Sequence, residues 1–319
     1  MSVQPTKQTP KRHNNPLGQA LAGKLTNFAA NVQPLSGIQN PDNLDCLVKQ
    51  LLDSIRRVEF VKAIGSKPAD PISADPNSDR FDPLKAAVLR MKEGNRDDAV
   101  WLVFLAVHFG KHSKDGYTLA RHVYGRYGEN GLWDWQSVSA DPADFRRWLH
   151  AQNATLKPFR FSNHRKYEGL DAFSKNGTGS IIESFVSWIT ASGSLDNIIA
   201  STHKQIGQNP REVFEVLYKQ MKKVHRFGRL GKFDFLTLLS KLGIAPIMPG
   251  SAFIWDGATG PYHGVRLLVT GSRSGSLTRK QADNVYLKLE NALGVGMQEL
   301  EDAICNWQKS PADYRHFRG

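Results

Sequence analysis

The chain has little of what several large protein classes require. Its 319 residues contain two cysteines, Cys46 and Cys305, which are too few for a disulfide framework, a zinc finger or an iron–sulfur site. No run of about 18 apolar residues occurs, so we expect no membrane-spanning helix. The polar N-terminus lacks the apolar centre of a secretory signal. These absences predict a protein of the reducing cytoplasm, in which both cysteines are small buried hydrophobes.

Sequence motifs of the common cofactor sites are also missing. The chain has no P-loop, no dinucleotide-binding glycine fingerprint, no Gly-x-Ser-x-Gly and no kinase motif set. The glycines of GATGPYHG (257–264) have the wrong spacing for any of these. No HExxH or other paired spacing of histidine and carboxylate indicates a metal. We therefore predict neither a cofactor nor a metal.

Positive charge, by contrast, is abundant. Lysine and arginine number 42 against 30 for aspartate and glutamate, which gives a formal net charge of +12 and a pI of about 9.7. This excess favours a polyanionic partner, with nucleic acid first and an anionic membrane surface second. We expect a monomer that binds nucleic acid and does not enter a membrane.

The hydrophobic pattern is typical of helices. Alternation of apolar and polar residues is almost absent, and the best strand candidate is the short segment 264–270. The segment 97–109 is apolar nearly all round, which predicts a central core helix. The pairs Asp82-Pro83, Asp141-Pro142 and Asn209-Pro210 are typical helix starts. We predict an all-α protein of about a dozen helices, in one body or two lobes with a cleft.

Residues 1–40 are rich in proline, asparagine, glutamine and threonine. We interpret them as a flexible polar arm, either simply disordered or in contact with nucleic acid through Lys7, Lys11 and Arg12. Residues 41–319 then form the helical domain that carries the function.

The segment 224–268 combines cations with a single acid behind aromatic residues. Arg226, Arg229 and Lys232 open an apolar run, and Asp256 follows about two dozen residues later. This order resembles the helix-hairpin-helix DNA glycosylases, in which a hairpin holds DNA phosphates and a later aspartate is catalytic. The usual Gly-x-Gly is replaced by Gly228 and Gly231, so ordinary packing of two helices explains the turn about as well.

The same resemblance implies roles for individual residues in this segment. Asp256 would stabilise positive charge on the sugar, although a simple helix cap is the alternative. Lys232 stands where some members place an amine nucleophile, and a phosphate contact is the alternative. Asp234 is the rival acid, or a buried structural one. Phe253, Trp255 and Tyr262 are candidates for the base pocket, and Gly231 is a candidate DNA contact.

A second candidate nucleic-acid segment is FRFSNHRKY (159–167). Its basic side chains would contact phosphates while aromatic rings stack on bases. A solvated helix start with two core phenylalanines is the alternative. The candidate DNA contacts here are His164, Arg165 and Lys166, and the candidate base contacts are Asn163 and Tyr167.

Two further features complete the candidate site. His108 ends the most apolar predicted helix, and it is either a core histidine or a contact to a base or sugar. Lys223 belongs to a run of cations, with Lys219, Lys222, Arg226 and Arg229, whose spacing predicts one cationic helix face. That face is either merely solvated or a phosphate-binding surface.

Longer strings carry a more specific resemblance. LAVHFGKHSKDGYTLAR (105–121), SNHRKYEGL (162–170), GRLGKFDFL (228–236) and AFIWDGATGPYHGVRLL (252–268) resemble the α-glutamyl/putrescinyl thymine pyrophosphorylase family over residues 45–308. The resemblance implies an all-α fold similar to the helix-hairpin-helix DNA glycosylases.

It also implies chemistry on hypermodified bases in phage DNA. Related members excise bulky bases, including glucosylated hydroxymethylcytosine, in antiviral defence, whereas the name-giving members displace pyrophosphate from a modified thymine. We predict a DNA glycosylase that flips the base out of the helix, hydrolyses its N-glycosidic bond, and does not use a lysine to cleave the strand. The alternatives are a pyrophosphorylase or transferase that hypermodifies thymine, and a non-catalytic module that binds modified DNA.

Overall fold

The structure, a computed structural model, describes residues 15–317, apart from the side chain of Asn163. Within those residues the chain forms 15 α-helices and several short 3-10 helices, and no β-strand. The all-α prediction is therefore confirmed. The chain divides into two compact units: unit 1 comprises the residues up to Glu59 and from Ser251 onward, and unit 2 is Phe60–Gly250. The predicted Lys7, Lys11 and Arg12 contacts lie outside the described residues.

The helices are listed here in chain order. They are α1 (Pro16–Asn31), α2 (Pro41–Ser66), α3 (Pro83–Lys92), α4 (Arg96–Phe109), α5 (Thr118–Tyr124), α6 (Trp135–Ala140), α7 (Pro142–Ala151), α8 (Asn153–Leu156), α9 (Thr178–Thr190), α10 (Leu195–Ile206), α11 (Pro210–Gln220), α12 (Arg229–Lys241), α13 (Gly260–Thr270), α14 (Arg279–Leu293) and α15 (Met297–Trp307). The 3-10 helices are Ser36–Ile38, Pro71–Ala74, Arg126–Gly128, Asn163–Arg165, Met221–Lys223 and Ile254–Asp256.

The three helix starts predicted from a cap followed by proline are confirmed. The side chain of Asp82 accepts from the second and third N–H groups of α3, and Asp141 and Asn209 cap α7 and α11 in the same way. Each cap satisfies backbone donors that have no partner inside the helix, and each contributes about 1 kcal/mol. The proline that follows has no N–H to lose.

The core of unit 2 is built around α4. Its residues are buried without interruption from Asp98 to Phe109, as the apolar pattern predicted. The ring of Phe104 stacks on Phe185 of α9 at 3.8 Å between centroids, and Phe227 lies on Phe104 at 5.1 Å. This aromatic stack fixes α9 and the segment before α12 against the same helix.

Unit 1 has its own core and corrects two predictions. Residues 16–31 do not belong to a polar arm, because Leu21, Leu25 and Phe28 recur on one face of α1 and are buried in that core. The strand candidate 264–270 is the second half of α13, which crosses α15 so closely that a Cβ at Gly264 would lie 2.5 Å from the Ile304 carbonyl oxygen. Packing decides both segments. No helix in residues 15–317 is long and apolar enough to cross a membrane.

Candidate functional site

In unit 1, Asp256 lies in a tight turn with an unusual backbone. The 3-10 helix Ile254–Asp256 is flanked by two left-handed residues, Phe253 with φ +50° and Gly257 with φ +87°. A left-handed conformation costs a non-glycine residue about 1–2 kcal/mol. Such strain persists only where surrounding contacts impose it, and it is concentrated at functional sites.

Two side chains of α14 impose this conformation. The Asp283 carboxylate accepts hydrogen bonds from the Ser251 hydroxyl (2.8 Å) and from the N–H groups of Ile254 (3.1 Å) and Trp255 (3.2 Å). Arg279 donates from Nη1 to the carbonyls of Ile254 (2.6 Å) and Ala258 (2.8 Å). The turn is therefore held from both of its ends by a rigid helix.

Of the two aromatic side chains in the turn, one is exposed and the other is buried. Trp255 is 50% exposed, whereas Phe253 is 1% exposed, and their centroids are 6.2 Å apart. Asp256 is half-buried beside them. Tyr262 is half-buried, with its hydroxyl donating to the Leu277 carbonyl and the Arg279 guanidinium 4.5 Å from its ring. Of the predicted aromatic contacts, Phe253 is thus corrected to a core residue because its ring has no surface to offer a base.

In unit 2, a cavity of about 610 Å³ opens beside the predicted FRFSNHRKY segment. The residues that matter for its chemistry are Lys157, Phe159, Arg160, Phe161, Lys166 and Glu168. Three cations and two aromatic rings therefore border one space, as the interleaved sequence suggested. The side chain of the predicted base contact Asn163 is outside the described part of the structure.

Glu168 is the carboxylate that sequence reasoning missed. Its side chain is 9% exposed and lies between two guanidinium groups, with Oε2 3.2 Å from Arg226 Nε and Oε1 4.0 Å from Arg165 Nη2. A signal for it existed, because Glu168 is the only acid between Asn153 and Leu170.

His108 lies wholly in the interior, which agrees with its interpretation as a core histidine and corrects its prediction as a base contact. Its Nε2 is 3.0 Å from the Thr178 hydroxyl, and that hydroxyl donates its only proton to the Gly169 carbonyl. His108 must therefore donate from Nε2, which leaves Nδ1 unprotonated and, in the described part of the chain, without a hydrogen-bond partner. Burial, together with the charge of Arg165, holds the pKa of His108 far below its ordinary value. The neutral ring thus anchors the loop that carries Glu168.

Arg165 and Gly231 lie next to each other in the interior of unit 2. Arg165 is 8% exposed, donates from Nε to the His108 carbonyl (3.2 Å), and places its guanidinium 5.0 Å from the Phe227 ring. A Cβ at Gly231 would lie 3.2 Å from Arg165 Nη1. Burial lowers the pKa of Arg165, while the carboxylates of Glu168 and Asp234 oppose that change. This arginine is a structural cation, because little of it can reach a phosphate.

The first turn of α12 also buries its cations. Lys232 is 8% exposed, with Nζ 4.3 Å from the Tyr218 ring, and Arg229 is 9% exposed, with its guanidinium 4.7 Å from the Phe233 ring. Cations over aromatic faces in partly dry surroundings stabilise the fold. Burial leaves Lys232 and Arg229 less accessible to DNA than their sequence pattern predicted. Asp234, one turn further on, is half-buried.

The cations predicted to form one helix face do not lie on one helix. Lys219 lies in the last turn of α11, where it pairs with Glu215, while Lys223 belongs to a 3-10 helix and Arg229 begins α12. Between them, Arg226 adopts a left-handed φ of +51°. The chain reverses here, and a helical period does not apply.

Several predicted DNA contacts are nevertheless at the surface. Lys166, His164 and Lys223 are exposed, and Tyr167 is 81% exposed with Lys166 Nζ 5.1 Å from its ring. The predicted residues thus fall into two groups. Trp255, Asp256 and Tyr262 share the turn region of unit 1, whereas the contacts from 108 to 234 belong to unit 2.

No group of three or more histidine, cysteine, aspartate or glutamate side chains that could hold a metal ion is found in residues 15–317.

Comparison with known proteins gives one family. The family model described as alpha-glutamyl/putrescinyl thymine pyrophosphorylase clade 3 matches residues 42–319, which include all of unit 2, most of unit 1 and every candidate residue from His108 to Tyr262. No curated protein and no solved structure matches the chain. The match agrees with the resemblance carried by the sequence strings.

Proposed function

We propose that this chain, which belongs to the alpha-glutamyl/putrescinyl thymine pyrophosphorylase family, excises a modified base from DNA by hydrolysing its N-glycosidic bond. Membership of the family implies an enzyme of hypermodified-base pathways, and DNA is the partner that this chemistry requires. Excision would leave an abasic site in phage DNA carrying bulky bases, which is a means of antiviral defence.

The observation that supports this proposal most is the turn around Asp256, which hydrogen bonds to Asp283 and Arg279 hold in place. Departure of a base builds positive charge on the deoxyribose, and a carboxylate fixed beside C1′ stabilises that charge. Water then adds its oxygen to C1′, the electron pair of the broken C1′–N bond leaves with the base, and a proton of the water ends on the released base. A half-buried aspartate in a strained and doubly anchored turn suits this task, because it need not reorganise during the reaction.

The neighbours of Asp256 suit an extruded nucleotide. Trp255, half-exposed next to the acid, offers a flat face for stacking, and Tyr262 borders the same turn. Enzymes that act on a base within duplex DNA must move it out of the stack, which costs a few kcal/mol. Stacking on an exposed indole recovers part of that cost. Lys166, His164, Lys223 and Arg226 are the proposed phosphate contacts.

Lys232 and Asp234 have supporting roles, not catalytic ones, in this mechanism. Lys232 would stabilise α12 and assist phosphate binding through its charge, and a nucleophilic role would require it to leave the Tyr218 ring. We therefore propose a glycosylase that does not cleave the strand. Asp234 would act indirectly, through the charge balance of Arg165.

The test uses DNA from phages with hypermodified bases. The parent protein should release free modified base, detectable by mass spectrometry, and leave sites that break in mild alkali. Asp256→Asn should reduce the rate by about 10²–10³-fold, the usual cost of removing a transition-state charge partner. Asp313→Asn, an exposed acid of the same unit, is the matched control and should leave the rate unchanged. Equal activity of Asp256→Asn and parent would remove the mechanism.

A second function is favoured by the family description and by the cationic cavity of unit 2. A pyrophosphorylase must hold a polyanion, and Lys157, Arg160 and Lys166 border one space. In that case pyrophosphate is released, the sugar–base bond stays intact, and Arg160→Ala lowers turnover more than Asp256→Asn does. Binding to modified DNA without either product would instead identify a recognition module.

A further inference from the structure

A groove of about 350 Å³, with several polar side chains in its lining, lies on the surface of α9, apart from the larger cavity. Ser180, Ser184 and Ser187 recur at helical spacing along one face of α9, and Lys223 and His225 line the same space. We call this the α9 groove. Sequence reasoning had singled out only Lys223 among its members.

The groove is assembled by specific contacts. The Ser180 hydroxyl is 3.0 Å from His225 Nδ1, and the His225 backbone N–H donates to the Ser184 hydroxyl at 2.9 Å. Ser184 in turn donates to the carbonyl of Ile181. Two serines of α9 thus fix both the ring and the backbone of His225. These contacts place the segment from Lys223 to Arg226 along the helix.

The lining favours an oxygen-rich anion. Among the described residues, Glu183 is the one acid that borders the groove, and it is already paired with Arg146. The other polar groups are hydroxyls, an imidazole and the ammonium of Lys223. In the wall, the indole N–H of Trp188 is buried and has no acceptor in the described part of the chain. Because Trp188 is only 3% exposed, it offers no face on which a base could stack.

The segment that lines the groove also reaches the larger cavity. Lys223 and His225 face α9, whereas the next residue, Arg226, has a left-handed φ of +51° and binds Glu168 at the cavity. The left-handed region is unfavourable for an arginine, so surrounding contacts must hold it there. One short segment therefore serves the α9 groove with two side chains and the cavity with a third.

We propose that the α9 groove binds a phosphodiester of the DNA strand. This inference rests on the proposed function in one respect, namely that DNA is the substrate. Lys223 supplies the charge, the Ser187 hydroxyl and the His225 ring donate to phosphate oxygens, and no base is read. The contact positions the strand and is independent of sequence, as phosphate contacts are.

The experiment measures binding of unmodified duplex DNA by fluorescence anisotropy between about 50 and 200 mM salt. Loss of one phosphate contact lowers the slope of log K against log salt by about one and weakens binding uniformly across sequences. We expect this for Lys223→Ala. Lys219→Ala, which removes the same charge from a lysine paired with Glu215 on α11, is the matched control and should change the slope little. Ser187→Asp, at an exposed position of the groove, should weaken binding at least as strongly as Lys223→Ala.

The outcomes separate this inference from the proposed function. Equal slopes for Lys223→Ala and Lys219→Ala, or parental binding by Ser187→Asp, would overturn the groove as a phosphate site. Absence of DNA binding by the parent would overturn it as well. If Lys223→Ala shows the reduced slope while the parent releases no base, the groove stands and the glycosylase proposal falls.

Discussion

Replacing Asp283 tests whether the turn around Asp256 is held in position by α14. Asp283→Ala removes one acceptor that serves three donors. The Ile254 N–H is in a fully buried residue, and a buried donor without a partner costs about 1–3 kcal/mol. The Trp255 N–H and the Ser251 hydroxyl can reach water, and their lost bonds cost about 0.5–1.5 kcal/mol each. The free energy of unfolding should fall by about 2–4 kcal/mol, less than the sum because the turn relaxes.

Relaxation of the turn should also reduce catalysis. Without Asp283, the left-handed Phe253 can return to an ordinary conformation and recover about 1–2 kcal/mol. Asp256 then loses its fixed position, and misplacement by about 1 Å costs up to about 10²-fold in rate. Base release by Asp283→Ala should therefore fall by about 10–100-fold, while the salt dependence of DNA binding stays parental. Fluorescence of the half-exposed Trp255 should report the displaced turn.

A variant of a second acid of unit 1 provides the control for loss of stability alone. Asp302 accepts from Ser54 and pairs with Arg57, far along the chain from the turn, so Asp302→Ala should destabilise unit 1 without moving Asp256. Activity is compared well below both unfolding midpoints. Parental base release by Asp283→Ala, or an equal loss in Asp302→Ala, would refute the reasoning.

Three further predictions concern packing and titration. Gly264→Ala should destabilise the protein by about 1–3 kcal/mol, because its Cβ meets the Ile304 carbonyl. Gly23→Ala, in open space on α1, should instead stabilise the protein by up to about 1 kcal/mol. Thermal unfolding of the two variants tests both expectations. Burial raises the pKa of Cys46 to about 11, so roughly one thiol in a thousand is ionised at pH 8 and iodoacetamide should spare Cys46 until urea unfolds the chain. Burial, with Arg121 nearby, lowers the pKa of His122 to about 4; its contribution to stability is complete above pH 6.5 and falls as the pH drops towards 4. We expect a loss of about 1 kcal/mol after allowance for partial exposure, and a flatter pH profile of urea unfolding in His122→Gln.

The site shows which predictions survive folding and which do not. The pairing of cations with aromatic rings in residues 159–167 was visible in the sequence, and such residues do border one cavity. The burial of Arg165 was not visible, because it depends on α4, α9 and α12 converging from distant parts of the chain. A buried His108, by contrast, was one of the two interpretations that the apolar segment 97–109 allowed. Glu168 was missed for the same reason, since its importance comes from Arg226, 58 residues away.

By itself, the sequence determined what depends on local interactions. The cap-and-proline starts of α3, α7 and α11 and the buried length of α4 follow from hydrogen bonds and apolar spacing within a few residues. Tertiary structure decided what depends on distant partners: the docking of α1, the helical state of residues 264–270, and the left-handed turns at Phe253 and Arg226. Those conformations are unfavourable or undecided locally, and contacts such as that of Asp283 with the turn around Asp256 supply the free energy that fixes them.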